Sequence, residues 1–140
     1  MNDATLEQRR QAIEQNPATR SWVKQVIREL WNFDILDVDH NKPSGLVYLD
    51  KLQDIMQTQQ QADAILLASD FDFTPEMLGA FEEIHNQMSS KILDVSFNTF
   101  GISSSILPEV IALDDTTGVL AELNILRALL EAKYRASFWG

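Results

Sequence analysis

The chain has 140 residues, 45% of them hydrophobic, and a formal net charge of −10. A chain of this length and apolar content can bury a core of its own, so we expect a single folded domain, residues 1–140, and not a disordered acidic protein. The lack of cysteine excludes a disulfide framework, a zinc site with thiolate ligands and a cysteine nucleophile.

The first predicted element is a helix from Ala4 to Gln15. Only Leu6 and Ile13 recur there at helical spacing, so its apolar stripe is thin. We therefore expect residues 1–16 to form a peripheral N-terminal arm.

Asn16 and Pro17 predict the start of a second helix, because Asn suits the N-cap and Pro suits the first helical position. The helix that follows is strongly amphipathic. Its apolar face consists of Trp22, Val23, Val26, Ile27, Leu30 and Trp31.

Residues 34–45 break the helical pattern, since Asp, Asn, Pro, Ser and Gly are concentrated there and each favours turns. A third helix is predicted to begin near Tyr48. Its inward face consists of Leu49, Leu52, Ile55 and Met56.

Thr74 and Pro75 predict the start of a fourth helix, with Thr as N-cap and Pro at the first helical position. The apolar residues of this helix are Met77, Phe81, Ile84 and Met88. Gly79 within it costs about 1 kcal/mol relative to alanine, which suggests that another element approaches closely there.

Residues 93–99 alternate between apolar and polar side chains, as a short strand does. The alternative extends the fourth helix through Val95 and continues as irregular chain near residue 100. We favour the helix, because a single strand without a partner is not stable.

Pro108 predicts a short fifth helix, and Asp114 and Asp115 are candidate caps for a long final helix. The stripe of that helix is Val119, Leu123, Leu126, Leu130 and Tyr134. The predicted fold is therefore all-α, a single compact bundle of five or six helices with at most one short extended or irregular segment near 93–100.

Asp37, Asp39 and Asn41 are spaced like the first three ligands of a calcium-binding loop. The rest of the pattern differs, since Lys42 takes the place of the turn glycine and Tyr48 that of the bidentate glutamate. An acidic loop with Asx turns is the favoured interpretation, and we predict no metal and no cofactor.

No pattern of catalytic residues is evident. Neither His40 nor His85 has a second histidine at metalloprotease spacing, and the adjacent Glu82 and Glu83 point about 100° apart on a helix. Phosphate-binding loops and nucleophile elbows are absent from the sequence, so we predict a protein without enzymatic activity.

Residues 6–23 and 52–78 resemble the nitrogen-fixation-associated leader-peptide family. The similarity lies in an alanine-containing helix that leads into Phe71-Asp72-Phe73-Thr74-Pro75-Glu76, with Asp70 in place of the family's glycine. The resemblance implies a small helical domain that a peptide-modifying enzyme recognises. It assigns no active residue to this chain.

The negative charge is concentrated in the middle of the chain. Residues 29–122 contain 17 acidic residues, opposed only by Lys42, Lys51 and Lys91. Such a surface favours docking on a basic protein, as in nuclease inhibitors, immunity proteins and nucleic-acid mimics. A leader-like or accessory domain and a small-molecule- or metal-binding bundle are the alternatives.

The predicted partner-binding residues are carboxylates in loops and near helix starts, together with one terminal tryptophan. They are Asp34, Asp37, Asp39, Asp70, Asp72, Glu76, Glu82, Glu83, Asp114, Asp115 and Trp139. Trp139 either packs back on the core or contacts the partner. The sequence does not specify the oligomeric state.

The expected location is the cytoplasm. Residues 1–4 do not start a secretory signal, and no apolar stretch approaches the ~20 residues needed to span a bilayer. Direct binding to nucleic acid or anionic lipid is disfavoured, because these would be repelled by the acidic surface.

Overall fold

The computed structural model describes residues 3–31, 36–37, 42–70, 72–97 and 105–139, and these ranges contain six helices and one short strand pair. The helices are α1 (Asp3–Gln15), α2 (Ser21–Leu30), α3 (Ser44–Ser69), α4 (Pro75–Phe97), α5 (Ile106–Ala112) and α6 (Thr116–Trp139). Strands β1 (Leu36–Asp37) and β2 (Lys42–Pro43) pair antiparallel, with Leu36 opposite Pro43. The predicted all-α bundle is confirmed.

The long helix α3 runs antiparallel to both α4 and α6. Lys51 near its start binds Asp94 near the end of α4, with Nζ 2.6 Å from Oδ2. On the α6 side, Asp50 forms an ion pair with Arg127, with Oδ1 2.7 Å from Nη2. These contacts fix the register of the three helices that form most of the bundle.

One hydrophobic core contains residues from each of the helices α2, α3, α4, α5 and α6. Its fully buried members include Trp22, Leu52, Ile55, Ile106 and Leu123, and Val110 lies with them. The inward residues predicted for α3, Leu49, Leu52, Ile55 and Met56, are all buried, as are Val119, Leu123, Leu126 and Leu130 of the predicted α6 stripe.

Helix α1 packs against α2 and α6. Leu6 is buried there, and Ile13 packs half-buried against the core. Arg10 pairs with Glu7 and Glu14 along the helix, and its guanidinium lies 5.6 Å from the ring centroid of Trp31. The thin stripe of α1 is thus in contact with the rest of the bundle.

The start of α2 was predicted wrongly. Asn16 does not cap it: its Oδ1 accepts a hydrogen bond from the Ala18 amide at 2.9 Å, as in an Asx turn. Pro17 lies in that turn, and α2 begins four residues later at Ser21. Helix α3 likewise begins at Ser44, ahead of the predicted start near Tyr48.

The residues expected to be either strand or helix are helical as far as the structure describes them, since α4 continues to Phe97. Residues 98–100 of that segment lie outside the described ranges. The extended backbone is found instead in β1 and β2. Within the described ranges, no helix combines the length and apolar character needed to cross a membrane.

The expectation that Gly79 marks a close approach is wrong, because a Cβ placed there would meet no atom within 4 Å. Gly79→Ala should therefore raise the free energy of unfolding by about 1 kcal/mol, the difference in helix propensity. Urea denaturation measures this change.

Gly118→Ala is the matched control, because its Cβ would collide with the Asp115 carboxylate that caps α6. The free energy of unfolding should rise less in Gly118→Ala than in Gly79→Ala. A loss of stability in Gly79→Ala would contradict the open surroundings of this glycine.

Candidate partner-binding surface

The end of the α3–α4 hairpin extends past the start of α6. The Thr116 hydroxyl, at the first residue of α6, donates to Asp63 Oδ2 at 2.8 Å. Helix α3 continues for six more residues to Ser69, roughly 9 Å of helix, before α4 returns from Pro75. We call residues 64–70 and 72–84 the α3–α4 tip.

The tip has a defined local structure. Ser69 Oγ donates to the Leu66 carbonyl at 2.7 Å, and Asp70 adopts a left-handed conformation with φ of 45°. Thr74 Oγ1 then accepts from the Met77 amide at 3.2 Å and caps α4. The predicted N-cap at Thr74 and the helix start at Pro75 are confirmed.

Four large apolar side chains of the tip are exposed. They are Leu66 (46%), Leu67 (84%), Phe73 (39%) and Leu78 (48%). Single exposed apolar residues are ordinary, whereas a group of them in one short segment is typical of interaction surfaces.

Leu66 and Leu67 continue the core-facing side of α3. They follow Asp63 by three and four residues, and Asp63 follows the buried Met56 by seven, so all lie on one side of the helix. Farther back this side is covered by the bundle. Beyond Asp63, where α6 starts, Leu66 and Leu67 on this side are exposed among the described residues.

Helix α4 shows the same change along its length. Met88 is buried, but Ile84, Phe81 and Met77, which precede it at helical spacing, are only half-buried. The Phe81 ring packs edge-on to Phe73, with centroids 6.0 Å apart, and lies 4.4 Å from the ring of His85. The predicted α4 stripe is therefore only partly core.

The tip is also strongly acidic. Asp70, Asp72, Glu76, Glu82 and Glu83 are all exposed there, and none of them forms an ion pair within the described part of the chain. The sequence contains no lysine or arginine between Lys51 and Lys91. Negative charge therefore borders the exposed apolar residues without a local cation to balance it.

Asp114 and Asp115 lie at the base of the tip, in the turn before α6. Asp114 is exposed with φ of 51°, and Asp115 Oδ1 accepts from the Gly118 amide at 3.2 Å, which confirms Asp115 as a cap. Asp115 also pairs with Arg20 at 2.9 Å. Part of its charge is thus balanced within the fold.

Arg20 joins the end of the α1–α2 turn to α6. It pairs with both Asp115 and Glu122, and the hydrogen bond to Glu122 raises the pKa of Arg20. This pairing makes Asp115 a weaker candidate for contact with a partner than the unpaired carboxylates of the tip.

The structure thus brings seven of the eleven predicted partner-binding residues to one end of the bundle. Of the others, Asp37 lies in β1 and Trp139 is the last residue of α6, while Asp34 and Asp39 lie outside the described residues. The sequence reasoning missed the exposed apolar residues of the tip. The signal for them was the run Ile65-Leu66-Leu67, which places apolar residues on more than one side of α3.

The described residues do not form a metal centre, and their open cleft holds no free carboxylate. In the described ranges, no three His, Asp or Glu side chains are grouped to hold a metal ion, and residues 38–41 of the calcium-like loop lie outside those ranges. An open cleft of about 390 Å³ lies between α1, α2 and α6, lined mainly by apolar side chains such as Ile13, Val23 and Ile125. Its one carboxylate, Glu122, is paired with Arg20.

Comparisons of this chain with protein-family models, with curated proteins and with solved structures find no match.

Proposed function

We propose that this chain is a non-enzymatic binding module whose α3–α4 tip docks on a basic protein, as an inhibitor, immunity protein or nucleic-acid mimic does. The observation that supports the proposal is the coincidence, in one protruding segment, of four exposed apolar side chains and five carboxylates that form no ion pair with any described residue.

The two kinds of residue would have different roles in binding. Exposed carboxylates without neighbouring cations accelerate encounter with a basic surface and determine which partners approach. Apolar side chains such as Leu67 are buried on contact and slow dissociation, because burial of apolar area stabilises the complex. A partner with a basic surface around an apolar centre matches both the carboxylates and the apolar side chains of the tip.

The test compares two variants with the same net charge. Asp70→Asn/Glu76→Gln removes two negative charges from the tip, whereas Glu109→Gln/Glu131→Gln removes two negative charges elsewhere. Each variant and the parent chain are immobilised, and proteins retained from a lysate of the native host are quantified by mass spectrometry. The parent and the second variant should retain the same basic proteins, and the tip variant should lose them.

Salt provides the second measurement. The association rate of a retained protein should fall by at least about tenfold between low and high ionic strength, because electrostatic steering is screened. Equal retention by both variants, or association that ignores salt, would refute docking through the acidic tip.

The leader-like alternative concerns the same segment, since residues 52–78 of the resemblance include most of the tip. It differs in the partner, which would be a peptide-modifying enzyme. Recovery of such an enzyme, with a mass change in the chain on co-expression, would favour that alternative.

A further inference from the structure

We infer that the tip binds an amphipathic, cationic helix of the partner, which packs on the exposed side of α3 beyond the start of α6. This inference rests on the proposed function and adds the shape of the partner to it.

The first argument is the geometry of the bundle. Between Leu52 and Asp63 the core-facing side of α3 is covered by other helices, and α6 packs along it antiparallel. Beyond Asp63 the same side continues as Leu66 and Leu67, and none of the described residues covers them fully, since they are 46% and 84% exposed. Since a surface that packs against a helix has ridges and grooves suited to one, its extension fits a further helix.

The second argument comes from α4, whose apolar side also becomes more exposed toward the tip. Met77, Phe81 and Ile84 continue the line of the buried Met88 toward the end of the tip, and each is half-exposed. The exposed apolar surface of the tip therefore extends from α3 to the start of α4, where Leu78 is exposed as well. A helix on such a surface is anchored by residues at i, i+3, i+4 and i+7.

The third argument is charge. Exposed Asp70 and Asp72 lie in the turn that follows Leu66 and Leu67, and exposed Asp114 lies two residues before Thr116, which contacts Asp63. An occupant helix therefore needs lysine or arginine beside its apolar stripe. A second copy of this chain fits poorly, because two tips would bring like charges together.

The probe is an 18-residue peptide of leucine and lysine, with its leucines at i, i+3, i+4 and i+7. Its control has the same composition in an order that spreads the leucines around the helix. Binding of both peptides to the full chain is measured by fluorescence anisotropy, and the helix content of the bound peptides by circular dichroism. The patterned peptide should bind at least about tenfold more tightly and gain helix on binding.

Leu66→Ser/Leu67→Ser should remove that tenfold preference. Leu93→Ser/Ile125→Ser is the matched control, because both of its parent side chains are exposed at 56% and lie outside the tip. The control should keep the preference. Both variants change exposed side chains, so circular dichroism of the chain alone should show unchanged folding.

The other outcomes separate the two proposals. Equal, salt-sensitive binding of both peptides would overturn the helix inference and leave acidic docking intact. Failure of both peptides to bind, together with equal retention by the two neutralised variants, would overturn the helix inference and docking alike. A concentration-dependent dimer lost in Leu66→Ser/Leu67→Ser would identify a second copy of the chain as the occupant and overturn the inference.

Discussion

Leu123→Ala should lower the free energy of unfolding by about 2–5 kcal/mol, because it removes buried methyl groups and leaves a cavity in the core. Leu123 is fully buried on α6, within the cluster that joins α2 to α6. Urea denaturation monitored by circular dichroism gives the change directly.

Leu93→Ala is the matched control, since it makes the same chemical change at a side chain on α4 that is 56% exposed. The control should shift the free energy of unfolding by no more than about 0.5 kcal/mol. Similar losses in the two variants would show that α6 does not form the centre of the core.

Alkaline solution should destabilise the fold through Tyr48. Burial of Tyr48, with a smaller contribution from the charge of Glu29, raises the pKa of its phenol. An unfolded tyrosine loses its proton near pH ~10, whereas the folded one keeps it. The unfolded state then binds fewer protons, so stability present below pH ~10 is lost as pH rises, by about 1.4 kcal/mol per unit until the folded pKa is reached.

Tyr48→Phe should flatten this loss, because phenylalanine has no proton to release. Tyr134→Phe is the control and should keep the steep decline, since Tyr48 is retained. Free energies of unfolding from urea titrations at several pH values above 9 provide the comparison. A slope that is unchanged in Tyr48→Phe would contradict this role for the buried phenol.

The sequence predicts a helix start correctly where a side chain caps its own helix. Thr74 caps α4 and Asp115 caps α6, because in each case the side-chain oxygen reaches an amide in the first turn of its own helix. Asn16 has the same chemistry but forms an Asx turn. The start of α2 is instead set by tertiary contacts, with Arg20 paired to residues of α6 and Trp22 in the core.

The candidate surface, too, could be predicted from the sequence only in part, because tertiary contacts decide which of its apolar residues are exposed. Exposed carboxylates such as Asp70 and Glu76 could be named from the sequence, because charged residues in loops and helix starts are rarely buried. The run Ile65-Leu66-Leu67 indicates apolar residues on more than one side of α3, but it does not show which of them are exposed, because Leu66 and Leu67 also continue the periodicity of the core residues. Only the position of Thr116 beside Asp63 determines where the core ends.

In the proposed function, the protrusion of the tip beyond the start of α6 separates the residues for recognition from those for folding. Among its described side chains only Ser69 is buried, so substitutions at Leu67, Glu76 or Leu78 remove little of the contact that stabilises the bundle. Partner choice can then diverge between descendants of this chain while their stability stays the same. The same property makes the bundle a scaffold on which new specificities can be selected, with the tip as the segment to randomise.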